Sequence, residues 1–107
     1  MDKQAIYDFL ATIPAGKVVT YGQIAEHFGN KHYARTVGNI LHKNPDGIKY
    51  PCYKVVNSQG RLSNHYAFGG LEAQRQRLLA DGIPVTDSRV DLKNYRYQPN
   101  APKGGLL

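Results

Sequence analysis

The sequence holds a single cysteine, Cys52, among 107 residues. An internal disulfide is therefore excluded, and a structural zinc site lacks the further thiolates it would draw on. Cysteine this sparse points to a reducing cytoplasm. No apolar run approaches the roughly 20 residues needed to span a bilayer. The opening stretch MDKQAIYDFLATIPAGK is acidic and amphipathic and lacks the pattern of a signal peptide. There is no internal repeat and no sign of a second domain. Acidic residues are scarce too, with 8 Asp and Glu against 14 Lys and Arg, a net charge of +6. A small domain with that balance favours polyanionic partners, because neutralising phosphates releases their counterions.

What is present is enough for one compact domain. Hydrophobic residues make up 41% of the chain, which excludes a disordered one. Asp2 can cap a first helix whose apolar residues Ile6, Phe9, Leu10 and Ile13 recur at helical spacing, before Pro14 and Gly16 end it. The stretch KVVTY reads as an extended connector. Thr20 with Gln23 three residues on is a capping-box pattern that starts a second helix burying Ile24, Ala25 and Phe28, and Gly29-Asn30 supplies its stop. A third helix is expected from about Lys31 or His32 to about His42. Ala34, Val37, Gly38 and Leu41 share its inner face, and Arg35, Asn39 and His42 an outer one. The small residues Ala34 and Gly38 would let this helix approach another backbone closely. Two short helices joined by a tight glycine-containing turn fit a DNA-binding helix-turn-helix and equally an ordinary helical hairpin.

Asn44-Pro45-Asp46-Gly47 is a strong turn. An extended segment, IKYPCYKVVNSQG, then carries the cysteine, and RLSNHYAFGG reads as a loop. A last long helix is expected from about Gly70 or Leu71 to Asp81, with Leu71, Leu78 and Leu79 inward and Arg75 and Arg77 partly outward. Beyond Gly82 and Pro84, Leu92 and Tyr95 should pack. The whole is a mainly α fold with short β segments, a small helical domain with a winged-helix-like helix-turn-helix. A single domain is expected over 1–97, with 98–107 as a flexible tail.

The stretches TYGQIAEHFGN, ARTVGNILHKNP, YPCYKVV and GGLEAQRQRLLADGI, in that order and spacing, resemble the DNA-binding and active-site domain of the O6-alkylguanine-DNA alkyltransferases and of their relatives, the alkyltransferase-like proteins. The resemblance covers about residues 3–97. It implies a helix-turn-helix that docks in the minor groove of double-stranded DNA, flips an alkylated guanine out of the stack, and moves the alkyl group to a cysteine in one irreversible step. It implies no cofactor and no metal, because the protein itself accepts the alkyl group, and it implies action as a monomer. Cys52 matches the acceptor of the family's Pro-Cys-His-Arg motif. Arg35 matches the arginine that fills the gap left by the flipped base, and Tyr21 the tyrosine that crowds the phosphate. Thr20, Ala34, Gly38 and Asn39 fall with them on the DNA-binding segment. Asn44 matches the asparagine tying the recognition helix to the active-site segment. Val55 belongs to the segment whose backbone helps hold the flipped base, and Phe68 falls near the position where the family has a small hydroxyl residue contacting that base.

Two positions depart from that pattern. The family's active-site histidine is Tyr53 here, and the glutamate that orients it is Asp81. A free cysteine has a pKa of about 8.5, so little thiolate exists at neutral pH, and a phenol with a pKa of about 10 is a poor base for removing the proton. Three routes stay open from the sequence. Cys52 reacts slowly, helped by Lys54 or His65. Cys52 is inert, and the protein binds the lesion and recruits other repair proteins, as the alkyltransferase-like relatives do. Or Tyr53 acts as an acid toward the leaving guanine. A sequence-specific regulator reading the major groove is a further alternative.

Overall fold

The computed structural model describes residues 2–98, and the expected tail from 99 onward lies outside them. Five α-helices order the described residues: α1 Lys3–Leu10, α2 Tyr21–His27, α3 Ala34–His42, α4 Gly70–Ala80 and α5 Leu92–Tyr95. Two short strands, β1 Val19–Thr20 and β2 Val55–Val56, pair in parallel with Val19 opposite Val55 and Thr20 opposite Val56. The architecture is thus mainly helical with a minimal sheet. Among the described residues no helix is long and apolar enough to cross a membrane.

Local chemistry sets most of the element ends. The Asp2 carboxylate accepts hydrogen bonds from the Gln4 and Ala5 amides and starts α1. That helix stops at Leu10, three residues short of the last apolar position of its stripe, yet Ile13 is still buried because a turn carries it back onto the core. Gly29, at φ +116°, takes the backbone out of α2. The third helix begins as a 3₁₀ turn at Lys31–Tyr33, capped by the Asn30 side chain, before it becomes α-helical.

Two apolar clusters hold the molecule together. One gathers Ile6, Leu10, Val19, Ile24, Val37 and Val55, all fully buried, beneath α1, α2 and α3. The other gathers Val18, Val56, Leu78, Ile83 and Val90 beneath α4. The sheet joins them, since Val19 and Val55 face the first and Val18 and Val56 the second. Each such aliphatic side chain contributes about 1.5–3 kcal/mol on burial. KVVTY is therefore more than a connector: its pairing with the segment behind the cysteine places Cys52 against the helix-turn-helix.

On α4 the expected inner face is corrected. Leu78 is buried and Leu71 half-buried, but Leu79 is 40% exposed, and the position turned inward is Gln74 at 1%. Gln74 lies one helical turn before Leu78, so it shares its face, and its amide is fully employed. It accepts from the Ser63 amide at 2.8 Å and donates to the Tyr53 and Val55 carbonyls, both at 3.0 Å. Leu92 and Tyr95 pack on the second cluster as expected.

Candidate nucleic-acid interface and reactive site

The capping box at the start of α2 forms in full. Thr20 Oγ1 accepts from the Gln23 amide at 3.0 Å, and the Thr20 amide donates to Gln23 Oε1 at 2.9 Å. Helix α3 buries Val37, Ile40 and Leu41 and leaves Arg35, Asn39 and His42 exposed. The Tyr7 hydroxyl locks it onto α1 by donating to the Ile40 carbonyl at 2.8 Å. Ala34 and Gly38 do not serve a close backbone approach within the protein. A methyl on Gly38 would sit 3.9 Å from the Tyr21 ring, an ordinary contact, and both residues instead line an open cavity.

That cavity, about 980 Å³, runs from α3 to the cysteine. Tyr21, Ala34, Arg35, Gly38 and Asn39 form one wall and Cys52 the other, so six of the residues singled out in the sequence meet on one surface. The loop 63–70 closes a further side with Ser63, His65, Tyr66 and Ala67. It is large enough for a nucleobase, and its α3 wall carries the arginine, asparagine and small residues that a helix laid against a nucleic-acid groove presents.

Cys52 begins a 3₁₀ turn, Cys52–Lys54, and is 6% exposed. Burial pushes its thiol up; the Asn44 side chain, its own backbone and the Arg77 charge oppose this without reversing it. The thiolate is thus scarcer at neutral pH than in a free cysteine. Phenols surround it. Burial raises Tyr7 and Tyr21, and a charge on Cys52 would raise both further. Burial, followed by the nearness of Cys52, pushes Tyr66 up to about 12. None of the three is a base at neutral pH.

The other sequence-selected residues lie behind this wall. Thr20 is the helix cap. Asn44 is buried, donating to the Tyr50 carbonyl at 2.7 Å and accepting from the Asp46 amide at 3.0 Å. Val55 is fully buried in the core and does not line the cavity, but its carbonyl accepts from Gln74, which does. Phe68 is likewise absent from the lining; its ring lies over Gly47. Tyr53 and Asp81 stand near each other, and burial first, then the Asp81 charge, raises the Tyr53 phenol. Asp81, however, is already engaged. Its Oδ2 accepts from the Gly16 amide at 3.1 Å and pairs with Lys54 Nζ at 3.4 Å. Lys54 is 5% exposed and spends its remaining donors on the Ile13 and Pro14 carbonyls, at 3.2 and 3.0 Å. The expected help from Lys54 to the thiol is therefore corrected: the ammonium faces the end of α1. His65 does line the cavity.

Two residues at the site had no sequence signal strong enough to single them out. Tyr66 is 8% exposed, lines the cavity, and its hydroxyl is buried without a hydrogen-bond partner among the described residues. Gln74 reads as one more polar residue of a charged helix, and only its three hydrogen bonds reveal it as the tie between loop, active-site turn and sheet. Among the described residues no group of His, Cys, Asp or Glu side chains is arranged to hold a metal ion.

Comparison with known proteins supplies the context of this geometry. Residues 2–83 match the family described as 6-O-methylguanine DNA methyltransferase, DNA binding domain. A DNA base-flipping protein of Vibrio parahaemolyticus is 42% identical over 95 residues, covering 88% of this chain and 93% of that protein. The methylated-DNA–protein-cysteine methyltransferase of Mus musculus is 37% identical over 83 residues, and the match spans 78% of this chain and 39% of the mouse protein. The crystal structure of S. pombe Atl1 in complex with damaged DNA containing O6-carboxymethylguanine superposes with a TM-score of 0.81 at 31% identity, covering 91% of this chain and 94% of that one.

Proposed function

This chain belongs to the 6-O-methylguanine DNA methyltransferase family through its DNA-binding domain, and from that footing we propose that it is a DNA-repair protein that recognises O6-alkylguanine by base flipping and holds the lesion without efficient alkyl transfer. The observation that carries the reading is the single cavity shared by the exposed face of α3 and by Cys52 and Tyr66. A helix-turn-helix laid in the minor groove by α3 would bring a flipped base to that opening. Arg35, exposed near the start of α3, would enter the stack behind it. The Tyr66 hydroxyl, protonated at neutral pH and without a partner among the described residues, would be free to donate to an acceptor on the base.

Transfer requires more. The sulfur must form a bond to the alkyl carbon while the carbon–O6 bond breaks, the thiol proton must leave Sγ, and a proton must reach the guanine. Here the thiol is raised by burial, Tyr53 is a protonated phenol raised by burial and by the Asp81 charge, and Asp81 is paired with Lys54. The cavity supports recognition, while neither Tyr53 nor Tyr66 offers a base for the thiol proton at neutral pH. The transfer reading keeps one observation in its favour, the place of Cys52 in the cavity wall, where Asn44 and Arg77 favour the thiolate against burial.

Incubation with a duplex carrying O6-methylguanine, followed by intact-protein and peptide mass spectrometry, separates the two. Tight binding of the lesion duplex over its unmodified counterpart, with Cys52 unmodified, is the expected result. A single methyl on the Cys52 peptide would replace this reading by the transferase one. Arg35→Ala is expected to reduce the preference for lesion over unmodified duplex by about tenfold, a loss of about 1.4 kcal/mol, with a smaller loss of general affinity. The arginine acts only after the base has left, so equal losses on both duplexes in a titration would remove it from that role.

A further inference from the structure

Gly47 ends the Asn44–Gly47 turn that follows α3, and it is buried. Its φ lies outside the left-handed region, so the backbone does not require glycine there. Space does. A Cβ at Gly47 would lie 2.8 Å from both Cδ2 and Cε2 of Phe68 and 3.2 Å from its Cγ. A ring seated face-on cannot yield as the tip of a lysine would; it must leave its rotamer or carry its backbone with it. The turn below is stiff, because Asn44 bridges Tyr50 and Asp46, and Asp46 Oδ1 accepts from the Ile48 and Lys49 amides, both at 3.0 Å.

The ring on that seat belongs to the loop 63–70. Phe68 stands edge-on to Tyr66, with centroids 5.8 Å apart and planes at 61°. Tyr66 is the cavity residue with the unpartnered hydroxyl. A second contact joins the same helix end to the same loop, His42 Nδ1 to the His65 carbonyl at 3.0 Å.

We infer that Gly47 is a positioning residue whose missing side chain seats the Phe68 ring, fixing the loop 63–70 and hence Tyr66 relative to the end of α3. The helix that lies on DNA and the loop that closes on the flipped base are thereby one unit. This also explains why a large apolar residue, Phe68, stands 39% exposed beside a cavity it does not line. The inference rests on the lesion-recognition reading for its consequence in binding, but the seat itself is a property of the free protein.

The test is a double-mutant cycle of Gly47→Ala and Phe68→Ala, with thermal unfolding of each variant as the check on folding. In the free protein, amide exchange at Tyr66–Gly70 is expected to rise about tenfold in each single variant, and the double variant is expected to match Phe68→Ala alone. Preference for an O6-methylguanine duplex over the unmodified one is expected to fall about tenfold in the same pattern, with affinity for the unmodified duplex unchanged. Unaltered exchange in Gly47→Ala, or an effect of Gly47→Ala that persists undiminished when Phe68 is already alanine, overturns the seat. Altered exchange without any lesion preference in the wild-type chain upholds the seat and removes the lesion-recognition reading instead.

Discussion

Replacing Lys54 by alanine is expected to lower the stability of the free protein by about 3–5 kcal/mol, the loss typical of breaking a buried ion pair from one side. The ammonium is the meeting point of three parts of the fold. It holds the Ile13 and Pro14 carbonyls after α1 and the Asp81 carboxylate at the end of α4, while its own backbone leads from the cysteine turn into β2. Alanine would leave the buried Ile13 carbonyl without its donor, the Pro14 carbonyl with only the Lys17 amide at 3.3 Å, and a carboxylate, 14% exposed, without its cation. For a domain of this size the midpoint of thermal unfolding should fall by roughly 15–25 °C. Replacing Asp81 by alanine in the same chain should recover part of the loss, because the unpaired charge then disappears. Calorimetry or urea unfolding of the three variants measures this directly. A drop below about 1 kcal/mol for Lys54→Ala would mean that water compensates the carbonyls and that the clamp adds little.

Tyr66→Phe should move stability and binding in opposite directions. The hydroxyl is buried, raised to about 12, and without a partner in the free protein. Leaving a polar group in that condition costs about 1–3 kcal/mol, so its removal is expected to stabilise the free chain by about 1 kcal/mol. The same change removes the donor proposed to meet the flipped base, and affinity for an O6-methylguanine duplex is expected to fall about tenfold, close to the value of one hydrogen bond made without competing water. Unfolding and binding measured on one preparation give both signs. A variant that is stabilised but binds the lesion unchanged would assign the hydroxyl to strain alone. One that loses stability would mean that the hydroxyl has a partner in solution.

The opposition of stability and recognition at Tyr66 contrasts with Lys54, whose contacts all serve the scaffold. In the family pattern the residue at position 81 orients a histidine at 53; in this chain Asp81 is held by Lys54 and faces a phenol. The Asp81 carboxylate is paired with a buried ammonium, yet its charge still raises the neighbouring phenol, which stays protonated at neutral pH. The two departures from the motif and the lysine between them form one structural unit, and that unit ties the cysteine turn to the scaffold.

The helices and their caps were legible in the sequence because their causes are local. Asp2, Thr20 with Gln23, and Gly29 act on amides within a few residues of themselves, and the stripes of Ile6, Leu10, Val37 and Leu41 follow from a period of 3.6. The exposed face of α3 with Arg35 and Asn39 was legible for the same reason. Leu79 was misplaced because α4 is too polar for periodicity to fix its inner face, and the buried position went to Gln74, whose amide finds its partners on two other segments. The pairing of β1 with β2, the direction of the Lys54 ammonium, the seat of Phe68 on Gly47 and the unpartnered hydroxyl of Tyr66 had no local signature at all. By itself the sequence determined which helices form, which of their faces are polar, and that one cysteine follows a proline between two turns. Only the tertiary structure decided what that cysteine meets, because the groups that set its thiol and close its cavity come from residues 21 to 77, and their effects depend on distance in space and on burial.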